Sequence, residues 1–365
     1  MGEFPTECKK RGKDHRSTTL DQDRAEMGKR VYLATLVVLV TMGAYVLQRL
    51  DLKWNEVTPD LLTASSSSYV TDKQLLIIRL AYLSVILYTV LFSLFDKTGT
   101  FLKVETPEKE IKNVHLMGVQ RFSAFTAWCW SLQGIYFLLT TGYTLAKFYS
   151  PAALAILAPF ERVLTRVAWG AFEISFAMSF LVSSVVTFVL IPTARRKGLP
   201  HDNFYTLQTL LMHNANVAFM VSELFLNKLP IILEHNILCF FWGISYTFFA
   251  MYWFKLHGFY YYFFLDNSKP FAPLWTVGLI GVYSIFFSLG HVLSGLIRDP
   301  DSTSGNFYML CVFAYTMLAM KFPPKDQVWV VKRDICKHFP YLSSFSIFKA
   351  EDDDKLDKRI RSASK

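Results

Sequence analysis

Eight apolar runs, most of them about as long as a bilayer is thick, constrain this chain more than any other feature. Crossing ~30 Å of hydrocarbon takes about 20 helical residues at ~1.5 Å each. The runs extend from Val31 to Leu47, Leu75 to Leu94, Phe122 to Leu145, Ala168 to Ile191, Tyr205 to Leu226, Asn236 to Phe254, Pro273 to Ile297 and Phe307 to Met320, the last being the shortest. With 52% hydrophobic and 18% charged residues, the 365-residue chain is too apolar for one water-soluble domain. Every backbone donor and acceptor in lipid must be satisfied internally, which selects helices, and no ten-residue alternation suggests a β-barrel. The expected fold is all-α, a polytopic transmembrane helix bundle of about eight spans. The first run follows a polar stretch to Arg30 and lacks a small-residue cleavage site, so it reads as a retained span and not a signal peptide.

Orientation follows from Lys and Arg, which stay on the cytoplasmic side of short loops. If the tail to Arg30 is cytoplasmic, so are the loops Asp96 to Arg121, Pro192 to Phe204 and Lys255 to Ala272 and the tail from Lys321, and together these hold 29 of the 38 basic residues. Omitting the last span would move eleven basic residues to the wrong side. Both termini are therefore expected in the cytoplasm. A net charge of +9 would suit nucleic acid, but here it lies in tails and loops beside apolar helices, where anionic lipid headgroups are the expected partner. Cys8, Cys129, Cys239, Cys311 and Cys336 have no metal-type spacing, and neither a metal nor a cofactor is expected. The first thirty residues and the end from Ala350 read as polar and disordered, and Ser65 to Ser68 as a flexible linker. With no soluble catalytic domain and no phosphate loop, function is expected within the spans.

Polar groups at membrane depth are costly, so each requires a reason. The fifth run places His213, Asn214, Asn216 and Glu223 in an otherwise apolar helix. A lone helical histidine is more often a packing residue than a catalyst, but here three more polar groups accompany it. His213 and Asn216 are three apart and share a face, whereas Glu223 lies about 15 Å further along the axis and reads as structural, pairing with another helix. In the third run, Thr126 and Gln133 are seven apart on one face; a membrane threonine usually bonds its own preceding turn. From the predicted span starts, Thr126 lies about 6 Å and His213 about 12 Å in from the same surface. A hydroxyl beside a neutral imidazole suits nucleophilic acyl transfer, with Asn214 or Asn216 as a donor to the oxyanion and Gln133 in the same polar cavity. His235, His257, His291 and Glu173 read as interfacial or packing residues.

At these positions the chain resembles a known group, the androgen-induced family of membrane threonine hydrolases with its Rolling stone and plant relatives. Met212 to Glu223, MHNANVAFMVSE, resembles the family's histidine helix, and Phe125 to Gln133, FTAWCWSLQ, the helix bearing its threonine. GFYYYFFLD followed by KPFAPLW resembles the plant members. The resemblance covers roughly 75–297, a six-span core, with an additional span and loop at 31–74, another span at 298–320, and tails at 1–30 and 321–365. It implies hydrolysis of fatty acid esters of hydroxy fatty acids, with Thr126 as nucleophile, His213 as base and a long-chain acyl ester as substrate among membrane lipids. Asn214, Ala215 and Asn216 after the histidine look more like the Rolling stone and plant branches, where catalysis is not established. The alternative is a non-enzymatic scaffold, adhesion or fusion factor.

Overall fold

The computed structural model describes residues 8–65, 70–106, 110–298 and 305–344. The acidic end from Ala350 and most of the serine run lie outside them. The described chain is mostly helical. Helix α1 (Cys8–Arg49) is followed by the short α2 (Pro59–Thr63) and by α3 (Asp72–Phe95). Thr71 and Gln74 start α3 with a reciprocal capping box, which satisfies two of the donors a helix start leaves free. A two-stranded antiparallel hairpin comes next, β1 (Thr100–Glu105) and β2 (Ile111–Leu116). The sequence predicts only a loop here, because the strands are short and half exposed and carry almost no periodic signal.

Then come α4 (Phe125–Tyr149), α5 (Pro151–Leu157), α6 (Glu161–Val185) and α7 (Ile191–Arg196), with a π-helical stretch, Val186–Leu190, between the last two. Helices α8 (Leu207–Leu210) and α9 (Asn216–Leu226) are joined by a second π-helical stretch, Leu211–Ala215. The remaining helices are α10 (Asn236–His257), α11 (Ala272–Arg298), α12 (Gly305–Ala319) and α13 (Val328–His338). Gly258, at φ 75°, ends α10 in the left-handed conformation that glycine adopts without penalty.

Five helical segments are long and apolar enough to cross a bilayer: Glu26–Arg49, Asp72–Phe95, Pro151–Arg196, Leu233–His257 and Ala272–Arg298. The chain is an integral, multi-pass membrane protein. Helix α4 and the helical run 207–226 are not among the five; polar residues such as Gln133 in the first and His213, Asn214, Asn216 and Glu223 in the second dilute their apolar character. Phe307–Ala319 is apolar but shorter. Most of the polar segment expected to be disordered before the first span instead continues α1 back to Cys8. Extending an existing helix costs far less than nucleating one.

Helix α6 is the axis of the bundle, buried along nearly all of Thr165 to Ser184. It packs against α4, α9, α10, α11 and α12, while α3 lies on α4 and α1 on the outside against α10 and α11. The outward faces carry large apolar side chains, among them Val38 and Met42 of α1, Ile77 of α3 and Ile285 of α11. That is the reverse of a water-facing surface and suits lipid.

Candidate active site

Thr126 is the second residue of α4, placed there because Ala124 ends the preceding 3-10 turn in an extended conformation and starts the helix. Threonines elsewhere in the bundle return their hydroxyls to their own helix: Thr140 to the Tyr136 carbonyl, Thr144 to Thr140 and Thr247 to Gly243. Thr126 has no full helical turn behind it. Its Oγ1 lies 3.1 Å from Nε2 of His213 instead. Both side chains are buried, Thr126 at 9% and His213 at 6% exposure.

His213 is carried by the π-helical stretch between α8 and α9, a local widening of the helix that recurs at functional sites. Its position is fixed from several sides. The Thr206 hydroxyl accepts from Thr209 N, and an Asp334 carboxylate oxygen from α13 accepts from Leu207 N at 2.6 Å, so both cap the start of α8. Ser183 of α6 donates to the His213 carbonyl. Sequence reasoning missed Ser183, which has the look of any small helix-contact residue.

The other ring nitrogen, Nδ1, lies 2.7 Å from Nζ of Lys321, which is 4% exposed. Lys321 comes two residues after the end of α12, and in the sequence it reads only as the first basic residue of the C-terminal tail. Its position at the end of an apolar run resembles any lysine that marks a cytoplasmic helix end, so the sequence carries no sign that it turns inward.

Asn214, a candidate oxyanion donor, grips the Lys321 backbone at both ends: its Nδ2 donates to the Lys321 carbonyl at 2.8 Å and its Oδ1 accepts from Lys321 N at 3.1 Å. Gln133 donates to the Asn216 carbonyl at 3.1 Å, and the Ser183 hydroxyl lies 3.5 Å from Asn216 Oδ1. Asn214, Asn216 and Gln133 thus tie helices together, and none of the three lines a cavity beside Thr126. Tyr262, by contrast, lines both cavities together with Thr126. It comes from the aromatic segment between α10 and α11, whose composition by itself predicts no more than an interfacial aromatic belt.

Glu223 lies apart from this cluster. It pairs with Arg79 of α3 at 2.6 Å, both side chains fully buried, and also accepts from Tyr136 at 2.6 Å and Asn227 at 3.0 Å. Arg79 donates further to the Leu62 carbonyl, which closes the network against α2. Glu173 and His235 form a second buried pair at 2.5 Å, with His235 Nε2 on the Leu52 carbonyl. His291 Nδ1 meets the Ile231 carbonyl, and His257 stacks on Trp253. These groups are engaged in holding the bundle together.

Two cavities meet at Thr126. The larger, about 520 Å³, is lined by Thr126, His213, Gln208, Arg121, Lys103 and Lys337, with both polar and apolar walls. The smaller, about 80 Å³, is almost wholly apolar, with Phe125, Met178, Leu181, Val185 and Leu279 around Thr126 and Tyr262. A buried hydroxyl therefore stands between an amphiphilic chamber and an oily one.

No family model matches this chain, and neither does any curated protein or solved structure.

Proposed function

We propose that the protein is a lipid-ester hydrolase working inside the membrane, of the kind found in the androgen-induced family, with fatty acid esters of hydroxy fatty acids as the substrate class. The observation that carries this reading is the 3.1 Å contact between Thr126 Oγ1 and His213 Nε2 at the junction of the two cavities. Nucleophile and base need that reach, and here two helices far apart in sequence supply it.

In this reading an ester carbonyl rests on Thr126, one apolar arm lies in the smaller cavity and the remainder of the amphiphile fills the larger. Thr126 Oγ1 attacks the carbonyl carbon as His213 Nε2 takes its proton, and the oxyanion is stabilised by the Tyr262 hydroxyl. Collapse breaks the ester C–O bond, and the departing alkoxide takes the proton from His213. Water, activated by the same imidazole, then cleaves the acyl-threonine and releases the fatty acid. The bundle that holds this site is proposed to cross the membrane eight times, with α4, the run 207–226 and α12 completing the set and both termini in the cytoplasm. Anionic headgroups meet the basic loops and tails on that side.

The test is labelling of the purified protein by a long-chain fluorophosphonate probe. Wild type is expected to label, and Thr126→Ala and His213→Ala each to lose at least about 10³-fold in labelling rate. A folded wild type that does not label would favour the non-enzymatic scaffold, in which Thr126 and His213 merely join two helices.

A further inference from the structure

Lys321 is a buried base with no acid beside it. Among the described residues no carboxylate is ion-paired with it, and its side chain is directed at one atom, His213 Nδ1, 2.7 Å away. Its backbone is held from both ends by Asn214, the neighbour of that histidine, and the carbonyl two residues earlier, of Ala319, accepts at 2.6 Å from Thr187 in the π-helical stretch that follows α6. This is a built contact. A lysine placed only to mark a helix end would extend toward the headgroups.

The contact has a chemical consequence. An ammonium can only donate, so with Lys321 charged Nδ1 must accept, the ring proton sits on Nε2, and Nε2 has no lone pair left for the Thr126 proton. With Lys321 neutral, the amine accepts from Nδ1–H and the Nε2 lone pair faces Thr126 Oγ1. We propose that Lys321 is the positioning residue of a Thr–His–Lys relay, deciding through its own protonation which His213 nitrogen faces the nucleophile. The inference deepens the hydrolase reading and rests on it for its kinetic consequence, but the tautomer assignment stands on the Lys321–His213 contact alone. In the relay, the proton leaving Thr126 goes to Nε2 as Nδ1–H passes its proton to the Lys321 amine; the Nε2 proton then goes to the leaving alkoxide as the ammonium returns its proton to Nδ1, so histidine and lysine end as they began.

The groups that bear on Lys321 are His213 in contact and the Phe204 ring at 5.5 Å, with Arg121, Asp334, Lys337 and His338 further along the cavity that reaches His213. The last three belong to α13.

Two measurements on the full chain in lipid nanodiscs decide the matter. The first is nitrogen-15 NMR of labelled histidines, with the His213 signals identified by their loss in His213→Gln. Wild type is expected to convert from the Nε2–H to the Nδ1–H form as pH rises, and Lys321→Met to lose that conversion. The same tautomer at every pH in both proteins would overturn the proposal, whether or not the protein labels with any probe. The second is fluorophosphonate labelling. Lys321→Arg, which keeps the charge, is expected to fall roughly 100-fold or more, because a permanent donor locks the unproductive tautomer. Lys321→Met, which loses the charge, should fall only about tenfold and lose the rise of rate with pH. The opposite order, with arginine the better replacement, would mean that Lys321 serves only as a structural cation. A wild type that shows the tautomer conversion but never labels would sink the hydrolase reading and leave the Lys321 assignment standing.

Discussion

Arg79 and Glu223 place opposite charges against each other with neither side chain exposed; the Leu62 carbonyl accepts from the guanidinium, and Tyr136 and Asn227 donate to the same Glu223 oxygen, Oε1, while Oε2 has no partner among the described residues. Removing one partner of such a pair leaves an unpaired buried charge, so Glu223→Ala is expected to lower stability by about 3–5 kcal/mol. Replacing both, as Arg79→Met with Glu223→Leu, should cost much less than the sum of the two single changes, measured by thermal unfolding in detergent. Tyr262→Phe tests a different residue: with the phenol gone and the ring kept, fluorophosphonate labelling is expected to drop roughly 100-fold while thermal stability changes little. At this scale the sequence was informative about which polar residues are unusual and poor about their partners. His213 and Thr126 stood out because they sit in apolar runs. Lys321, Tyr262 and Arg79 did not, because a basic residue at a helix end, a tyrosine in an aromatic run and an arginine near a span boundary all have ordinary interfacial explanations.

Helix α13 is amphipathic and docks on the start of α8 through Asp334, while its Lys337 lies 3.6 Å from Asp96, the residue that ends α3. Burial acts to raise the Asp96 carboxyl, but hydrogen bonds from Thr98 and the charges of Lys337 and Arg121 outweigh it and hold the group below the ordinary carboxylate value. A depressed carboxylate contributes stability that is fully present above its unfolded value, near about 3.9, and is lost as pH falls through the folded one. Limited proteolysis should therefore leave α13 protected at pH 7 and release it in strongly acid solution, and Asp96→Asn should weaken protection at pH 7 and flatten that dependence. Packing between α6 and α11 offers a second test. A Cβ on Gly290 would come within 2.6 Å of Phe176 and 2.9 Å of Ile231, whereas one on Gly295 of the same helix meets nothing within 4 Å. Gly290→Ala is expected to lower the unfolding temperature and Gly295→Ala to leave it unchanged or raise it, since alanine is the better helix former by about 1 kcal/mol. Long apolar elements were legible in the sequence because hydrophobic length is a strong signal; the hairpin and the π-helical turns were not, because a one-residue change of helical register leaves no compositional trace.

Across the whole molecule, five helical segments long and apolar enough to cross a bilayer, one of them containing the axial α6, account for the apolar composition, and the basic residues predict an orientation that can be measured. In a cysteine-free background, Lys103→Cys is expected to react with a maleimide offered from the cytosol and Asp51→Cys only after the membrane is opened. Reaction of both from one side would reject a membrane crossing by α3 and with it the eight-span arrangement. Residue 321 also changes the boundary of the functional unit: the resemblance confined it to 75–297, yet the His213 ring is held from beyond α12, which no pattern within that window could have indicated. The Arg79–Glu223 pair has a consequence in time as well as in space. The two residues are 144 positions apart, so at about 5–20 residues per second the guanidinium is synthesised roughly 7–29 seconds before its carboxylate exists. Until then the Arg79 cation has no carboxylate to meet, so the pairing that buries it waits on the arrival of α9.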